Sequence, residues 1–373
     1  MASTLDLKRT PLYQNHISLN AKMAGFGGWD MPIHYEGILA EHQQTRQSAT
    51  VFDTCHMGEF VIKGDAVQTG LDRLVSMRII DMPVNSCRYG FLLNDRGAAL
   101  DDVIVFRVEK EEWFIVVNGA TIDKDAEHFR NNLKQRSSFE DISTKTGKID
   151  VQGPKSREAL MELGFSVGAI EYYHFNHFEW KGHSLLISRT GYTGELGYEI
   201  YCPWELTAQI WELLLKSACR QAGISRVKPA GLGARDILRL EVGYPLYGHE
   251  LSENITPLEA GLKRFVDFEK DFIGKEALIK QQAQGVAKSL IGLISENRRA
   301  PRQDQNIYTD DGRMIGAVTS GTFSPMLQKG IALAFVEKTF AVGGQKIYFG
   351  DDKSKNFAMI SPKTFFRGGS LKF

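Results

Sequence analysis

The sequence has no net charge. Its 373 residues include 45 basic and 45 acidic side chains, so the formal charge at pH 7 is zero. Nucleic acids and anionic membrane surfaces are bound mainly through a broad positive field, which this balance does not provide. The composition therefore argues against both as main partners, and we expect neither nucleic-acid nor membrane binding.

Long apolar runs and paired cysteines are also missing. No apolar stretch approaches the ~20 residues that span a bilayer, and the first residues, MASTLDLKRTPLYQ, lack the apolar segment of a signal peptide. The four cysteines show neither a CxxC pair nor a metal-ligand spacing with histidine. They are Cys55, Cys87, Cys202 and Cys219. We therefore expect reduced thiols, a cytoplasmic location and no metal.

Common nucleotide and nucleophile motifs are absent as well. The chain contains no GxxxxGK[ST] phosphate loop and no GxSxG nucleophile elbow. The string GLGARD at 231–236 is similar to a dinucleotide fingerprint, but Asp236 stands where the third glycine belongs and no clear strand precedes it. These absences argue against a P-loop enzyme, a Rossmann dehydrogenase and a serine hydrolase.

The chain divides into two parts with different patterns. Up to about residue 283, strand-like alternation at 58–118 is mixed with segments of helical spacing. From 284 to 373, short apolar runs separated by turns show almost no helical spacing. We therefore predict an α+β region over 1–283, followed by a small all-β domain over 284–373.

Local signals predict individual elements. The sequence Asn94-Asp95-Arg96-Gly97 between two apolar runs is typical of a hairpin turn. The string TPLE at 256–259 has the pattern of a capping box, which predicts a helix beginning there. Further helices are predicted at 120–135, at 154–164 and at 203–223.

The stretch GYTGELGYEIY at 191–201 has glycines at three-residue intervals, like some phosphate-binding loops. Its carboxylates, Glu195 and Glu199, would repel a phosphate, and its three tyrosines supply aromatic surface. If 198–201 is a strand, Glu199 shares a face with Tyr201. The pattern indicates an acidic, aromatic site for something other than phosphate. The alternative is an exposed strand position for Glu199 and a helix-surface charge for Arg235.

A second signal is the pair Asp101 and Asp102, which precedes an apolar run. Neighbouring side chains on a strand point to opposite faces, so Asp101 shares a face with Val103 and Asp102 shares one with Ile104. Whichever face is buried, one carboxylate meets apolar surface, which is costly unless that carboxylate has a partner. A functional carboxylate fits this pattern. An Asp that ends the turn beside an Asp in an ion pair fits it too, and composition alone favours that second alternative.

A series of motifs occurs in one order from end to end of the chain. The motifs are GGWDMPIHY, HMGE, LDDVIV, VVNGAT, VQGP, GYTGELGYEIY, GLGARDILRLEVGYPLYG, TPLEAGL, DFIGKEAL and TSGTFSP. With them the chain closely resembles the aminomethyltransferase of the glycine cleavage system, the T-protein family, over nearly its whole length. The resemblance implies a folate-binding region of antiparallel sheets and helices in two lobes (1–283). A C-terminal β-barrel domain (284–373) completes a three-lobed cloverleaf.

The resemblance also implies an activity in glycine catabolism and one-carbon metabolism. The family takes an aminomethyl group from the dihydrolipoyl arm of the H-protein and transfers its carbon to tetrahydrofolate. The products are 5,10-methylenetetrahydrofolate, ammonia and the reduced arm. We therefore expect tetrahydrofolate as co-substrate, lipoylated H-protein as a transient partner, and a monomer.

Matching the family's motifs residue by residue gives a set of expected site residues. Asp101 falls on the family's catalytic aspartate and should be reachable from the surface through a channel, whereas Asp102 is expected to be structural. Glu199 falls on the glutamate whose carboxylate accepts two N–H groups of the pteridine ring. The full set of folate contacts implied by the resemblance is Glu199, Arg235, Tyr192, Asn118 and Arg367.

Two alternatives share the same scaffold. One is a tetrahydrofolate-dependent demethylase, and the other is a folate-binding regulatory protein of tRNA modification and iron–sulfur assembly. The second group carries a KxGCYxGQE signature that this chain lacks. Cys55 stands where relatives often carry serine, which leaves open a change in the substrate channel. Asp101 and the intact GYTGELGYE favour the transferase.

Overall fold

A computed structural model of the chain describes residues 7–216, 227–350 and 356–371. The helices in these ranges are α1 (Tyr13–Ser18), α2 (Ile38–Gln47), α3 (Ala66–Thr69), α4 (Leu71–Leu74), α5 (Ile122–Asn132), α6 (Ser156–Glu162), α7 (Thr207–Lys216), α8 (Leu232–Glu241) and α9 (Lys275–Gln284). The strands up to residue 152 are β1 (Lys22–Phe26), β2 (Trp29–His34), β3 (Thr50–Asp53), β4 (Gly58–Lys63), β5 (Ser86–Leu93), β6 (Ala99–Glu109), β7 (Glu112–Val117), β8 (Phe139–Asp141) and β9 (Thr146–Gln152). The later strands are β10 (Phe175–Trp180), β11 (His183–Ser188), β12 (Gly197–Pro203), β13 (Lys228–Pro229), β14 (Lys288–Ser295), β15 (Asn306–Tyr308), β16 (Met314–Ser324), β17 (Lys329–Glu337), β18 (Lys346–Phe349) and β19 (Asn356–Ser361).

The strands form three open sheets and one closed barrel. A two-stranded hairpin pairs β1 with β2, and a five-stranded sheet has the order β5-β6-β7-β4-β8. A six-stranded sheet has the order β10-β11-β12-β9-β3-β13, and the barrel closes in the order β14-β17-β16-β15-β18-β19. The predicted α+β fold with a C-terminal barrel is confirmed.

The five-stranded sheet and α5 form one core. The predicted hairpin turn is present, since Asn94 Oδ1 accepts from the backbone N–H groups of Arg96 and Ala98, and Gly97 takes a φ of 76°. The helix predicted at 120–135 is α5, which packs Ile122 and Phe129 against the sheet. This core covers one face of β6.

The other face of β6 packs against the six-stranded sheet. Phe106 and Phe114 from the five-stranded sheet contact Tyr201 from β12, with ring centroids 5.6 and 5.1 Å apart. We call this apolar zone the inter-sheet layer; its buried members are Cys87, Phe106, Phe114, Val116, Phe175, Leu186 and Tyr201. Val103 and Val105 instead belong to the core shared with α5. The alternation along β6 therefore places Asp101 toward α5 and Asp102 toward the inter-sheet layer.

The six-stranded sheet packs its other face on α6 and α7. The helix predicted from Pro154 begins at Ser156 and ends before Gly164, whose φ of 90° suits a residue after a helix. The helix predicted at 203–223 is described as α7 up to Lys216, and its expected end lies outside the described residues. Trp211 from α7 is fully buried in this core.

The helix predicted at the capping box of residues 256–259 is wrong. Glu259 accepts a hydrogen bond from the backbone N–H of Thr256, and the Thr256 hydroxyl accepts one from the N–H of Glu259. These reciprocal bonds close a turn that does not continue into a helix. The N–H groups of Thr256 and Glu259 are therefore bonded without a helix, and Gly261 takes a φ of 67° at the end of the turn.

None of the described helices combines the length and apolar character needed to cross a membrane.

Candidate functional site

Asp102 lies on the face of β6 that looks toward the inter-sheet layer. The hydroxyl of Tyr89, on the neighbouring strand β5, donates to its Oδ2 at 3.0 Å. The side-chain nitrogen of Asn118 donates to its Oδ1 at 2.8 Å. All three residues are only partly buried. Burial, and then the negative charge of Asp101, raise the pKa of Asp102 to about 7. Asp102 is therefore a partly exposed residue whose carboxyl changes charge near neutral pH.

Asp101 lies on the opposite face and is sealed from solvent. Its exposed fraction is 0%. Its Oδ2 accepts from the backbone N–H of Asn118 and from the hydroxyl of Thr121, both at 2.9 Å. The expectation that Asp101 is reached through a surface channel is wrong in this structure, because the alternation of β6 turns it into the core under α5. Its neighbour Asp102 is the partly exposed member of the pair.

Asn118 joins the two aspartates. Its Nδ2 donates to Oδ1 of Asp101 and to Oδ1 of Asp102, each at 2.8 Å. It follows the last residue of β7, where Gly119 approaches the carbonyl oxygen of His56 so closely that a Cβ would lie 2.3 Å from it. The Oδ1 of Asn118 accepts no hydrogen bond from described residues, and this atom is not fully buried. The loop thus presents one free amide oxygen beside Asp102.

Glu199 lies on β12 and shares its face with Tyr201, as the sequence predicted. Its Oε1 accepts from Nζ of Lys148 at 2.9 Å. Its Oε2 accepts from the hydroxyls of Thr190, at 2.6 Å, and Tyr201, at 3.2 Å. A carboxylate has about four acceptor positions, so three are occupied and Oε1 retains one for a further donor. Three hydrogen bonds thus hold the Glu199 carboxyl group in place, on the face of β12 that looks toward the inter-sheet layer.

Lys148 and Arg235 supply positive charge to the same cluster. Lys148, on β9, also donates to Asp150 at 2.7 Å, and Arg235 of α8 donates to the other oxygen of Asp150 at 2.7 Å. Burial alone would raise the pKa of Asp150, but the charges of Lys148 and Arg235 outweigh it and lower the pKa to about 2. Asp150 is therefore a carboxylate held between two cations at neutral pH.

Aromatic rings line the space next to Arg235. Its guanidinium carbon lies 5.0 Å from the ring centroid of Tyr192, and Tyr192 stacks on Tyr244 with centroids 5.8 Å apart. The hydroxyl of Tyr192 donates to the carbonyl oxygen of Pro245. Burial raises the pKa of Tyr192, and the nearby charge of Asp102 raises it further. Tyr192 thus lies between the cluster around Glu199 and the pair around Asp102.

The start of α8 fixes the position of Arg235. A Cβ on Gly231 would lie 2.3 Å from the carbonyl oxygen of Ile33, so only glycine fits this crossing. The N–H of Gly231 donates to Glu41 from α2 at 2.9 Å. The GLGARD string therefore starts a helix, and its glycine allows close packing against β2.

Glu195 and Arg367 lie apart from these clusters. Glu195 accepts from Arg46 at 2.7 Å and from the backbone N–H of Ser370 at 2.8 Å, so it anchors the C-terminal segment. The interpretation that both glutamates of the 191–201 stretch face a ligand is therefore wrong for Glu195. Arg367 is exposed on the same segment and shares no hydrogen bond or ion pair with the other predicted site residues that the structure describes.

Sequence reasoning missed several members of this cluster. Lys148 and Asp150 share one face of β9, and a charged pair at i and i+2 in the strand-like run TGKIDVQ was the available signal. Tyr89 lies directly before Gly90 and the apolar run Phe91–Leu93 on β5, and nothing local distinguishes it from a core tyrosine. Within the described residues no group of three or more metal-ligating side chains is found.

The fold and the site together define a class of protein. Helices and open sheets precede a closed barrel, and an acidic, aromatic, partly buried site lies between two facing sheets. A family model described as the GCVT N-terminal domain matches residues 12–270, and one described as the glycine cleavage T-protein C-terminal barrel domain matches residues 288–366. The chain belongs to the glycine cleavage T-protein family.

Individual relatives agree with this assignment. An aminomethyltransferase of Pseudothermotoga lettingae is 39% identical over 363 residues, which cover 97% of this chain and 99% of that protein. An aminomethyltransferase of Desulfitobacterium hafniense (strain Y51) is 42% identical over 351 residues, covering 92% and 93%. The crystal structure of glycine cleavage system aminomethyltransferase T from Bartonella henselae is 28% identical. It superposes with a TM-score of 0.90, covering 98% of this chain and 100% of that one.

Proposed function

We propose that the protein is the aminomethyltransferase of a glycine cleavage system. It would take the aminomethyl group that the dihydrolipoyl arm of H-protein carries on sulfur and transfer its carbon to tetrahydrofolate. The products are 5,10-methylenetetrahydrofolate, ammonia and the dihydrolipoyl arm. The observation that carries the proposal is the inter-sheet site, in which Asp102, Asn118 and Glu199 offer acceptors beside a tyrosine-lined space, in a chain of this family.

The residues present fit a reduced pterin as co-substrate. A pterin presents several N–H donors on a flat ring, and it needs acceptors and flat walls in return. Glu199 keeps one acceptor position on Oε1, and Asn118 keeps a free amide oxygen. Tyr192, stacked on Tyr244, offers an aromatic wall. Arg235, which Asp150 holds in place, brings a cation to the same wall. We propose these residues as the folate contacts, and Arg367 as a further contact with the exposed part of the ligand.

We propose Asp102 as the catalytic carboxylate, in place of Asp101. The transferred carbon gains positive character as sulfur or nitrogen leaves it, and a preorganised anion nearby lowers the energy of that state. Asp102 is partly exposed, whereas Asp101 has no exposed surface. The hydrogen bonds from Tyr89 and Asn118 hold Asp102 without neutralising it. Asp101 then holds Asn118 in place by accepting its hydrogen bonds on the core side of β6.

The proposed donor is the lipoyl arm of H-protein, met transiently by a monomer in the cytoplasm. The test supplies purified protein and tetrahydrofolate with three donors in parallel: aminomethylated lipoyl H-protein, dimethylglycine and sarcosine. We expect methylenetetrahydrofolate and stoichiometric ammonia from the H-protein donor alone. 5-Methyltetrahydrofolate from dimethylglycine or sarcosine, formed by methyl transfer without oxidation, with no product from H-protein, would show a demethylase on the same scaffold.

A further inference from the structure

Asp125 is a buried carboxyl that the proposed reaction does not use directly. It lies on α5, on the stripe with Ile122, Ala126 and Phe129 that packs against the five-stranded sheet, and its exposed fraction is 0%. Neither of its side-chain oxygens accepts a hydrogen bond from the residues that the structure describes. An ionised carboxylate in such surroundings is strongly disfavoured, so Asp125 keeps its proton.

The neighbour that can accept this proton is Asp101. Thr121 links the two residues: its hydroxyl donates to Asp101 at 2.9 Å, and its carbonyl oxygen accepts from the backbone N–H of Asp125 at 2.8 Å. Asp101 receives three donors, namely the N–H and the Nδ2 of Asn118 and the hydroxyl of Thr121. Neighbouring buried carboxyls are not both charged, so the one with donors is the anion and the one without them is the acid. Asp125 is therefore the group that can donate an O–H to Asp101.

The surrounding charges favour this arrangement. Burial, and then the charge of Asp101, raise the pKa of Asp125 to about 10. The positive charge of Lys124 acts on Asp125, but the Lys124 Nζ donates to the carbonyl oxygen of Leu100, to Tyr247 and to Glu253. It forms no ion pair with Asp125. Among the described residues, no charged partner thus replaces the proton on Asp125.

We propose that Asp125 is a positioning residue of the transfer reaction, because the proton it shares with Asp101 fixes the orientation of the Asn118 amide. With Asp101 ionised, the Asn118 nitrogen faces both aspartates and its oxygen is left for the substrate. With Asp101 protonated, its O–H would need the Asn118 oxygen as acceptor, and the amide would turn over. The Asn118 oxygen, which has lone pairs and no proton to donate, would then face the carboxylate of Asp102. The positioning role rests on the proposed function; the location of the proton does not.

The first experiment locates the proton without any assay of activity. Infrared difference spectra compare the wild-type protein with Asp125→Asn at pH 8, in the C=O region of protonated carboxylic acids. We expect Asp125→Asn to lose one such band. Glu59→Gln is the matched control, since Glu59 is also fully buried, has no hydrogen-bond partner among described residues and has a pKa raised by burial. It should lose a different band. A spectrum that Asp125→Asn leaves unchanged overturns the inference.

The second experiment tests positioning by rescue. Asparagine at 125 keeps a permanent N–H donor to Asp101, so Asp125→Asn should keep kcat within a few-fold. Asp125→Ala loses the donor, and we expect kcat to fall roughly ten- to a hundredfold, the scale of one charged hydrogen bond. If the alanine variant does not fold, Asp125→Val fills the volume without a donor. Equal kcat in the folded asparagine and donor-free variants overturns the positioning role.

The experiments can overturn the proposed function and the inference about Asp125 separately. A wild-type protein that makes no methylenetetrahydrofolate from aminomethylated H-protein overturns the proposed function, and the positioning role with it. In that case the infrared comparison still decides which carboxyl holds the proton. A protein that transfers normally but keeps the band in Asp125→Asn overturns the present inference alone.

Discussion

Asp101 and Asp102 leave β6 on opposite faces, yet one nitrogen, Nδ2 of Asn118, donates to Oδ1 of both at 2.8 Å. The buried aspartate and the accessible one are therefore parts of a single unit. The negative charge of Asp101 also raises the pKa of Asp102. A change at Asp101 should thus change the pKa of Asp102, although the two side chains lie on opposite faces of β6.

The first prediction concerns Asp101→Asn. The variant removes a buried anion that three donors hold, so unfolding should become easier by roughly 1–3 kcal/mol. Loss of its charge should lower the pKa of Asp102, and the acid limb of the kcat/KM profile should move to lower pH. Thermal unfolding and a pH–rate profile measure both effects. An acid limb at the wild-type position would show that the two carboxyls are not coupled.

The second prediction concerns stability and pH. The pKa of Asp102 rises from 3.8 to about 7 in the folded state, so the folded protein binds this proton more tightly than the unfolded chain does. The resulting stabilisation is present below 3.8 and is lost as the pH rises through about 7. Asp102→Asn should flatten this fall. Denaturant unfolding at several pH values measures it, and a wild-type slope in the variant contradicts the assignment.

The third prediction concerns folate affinity. Glu199→Gln keeps the shape of the side chain but loses its charge, and a charged hydrogen bond contributes roughly 1.5–3 kcal/mol. We therefore expect the Kd for tetrahydrofolate to rise by about one to two orders of magnitude. Glu195→Gln is the matched control, because Glu195 is as deeply buried but binds Arg46 and Ser370. Calorimetry that finds the same Kd change in both variants would place the pocket elsewhere.

The fourth prediction concerns Cys55. The residue is 1% exposed in the core of the six-stranded sheet, and its thiol donates to the carbonyl oxygen of Lys148 at 3.2 Å. A serine hydroxyl can make the same bond, and a hydrogen bond contributes a net ~0.5–1.5 kcal/mol, so Cys55→Ser should change the free energy of unfolding by no more than about that and leave kcat and KM unchanged. A changed KM for the aminomethyl donor would place Cys55 in the substrate channel after all.

Much of the fold could be predicted from local patterns. The alternation from β4 to β7, the turn at Asn94–Gly97 and the stripe of α5 follow from residue spacing alone, because neighbouring strands and one helix bury their own apolar faces. The capping box at Thr256 led to a wrong helix prediction, because its hydrogen bonds are local and do not require the helix that often follows them.

The site could be predicted only in part. Spacing showed that Asp101 and Asp102 point to opposite faces, but which face meets the second sheet depends on contacts between β6 and β12, far apart in sequence. The same holds for Glu195 and Glu199, which differ only in what approaches them: Ser370 from the C-terminal segment, or Lys148 from β9. Long-range packing, absent from any local pattern, decides each role.

The measurement that tests the account most directly is a single-turnover rate. Aminomethylated H-protein and tetrahydrofolate are mixed with excess wild-type protein, Asp102→Asn or Asp101→Asn, and methylenetetrahydrofolate is followed in time. Loss of one preorganised electrostatic group should slow Asp102→Asn on the order of 10²–10³-fold. The Asp102→Asn variant should remain folded, and folded Asp101→Asn should lose less rate than Asp102→Asn. An Asp102→Asn protein within a few-fold of the wild-type rate, or Asp101→Asn as the slower of the two, would contradict the account.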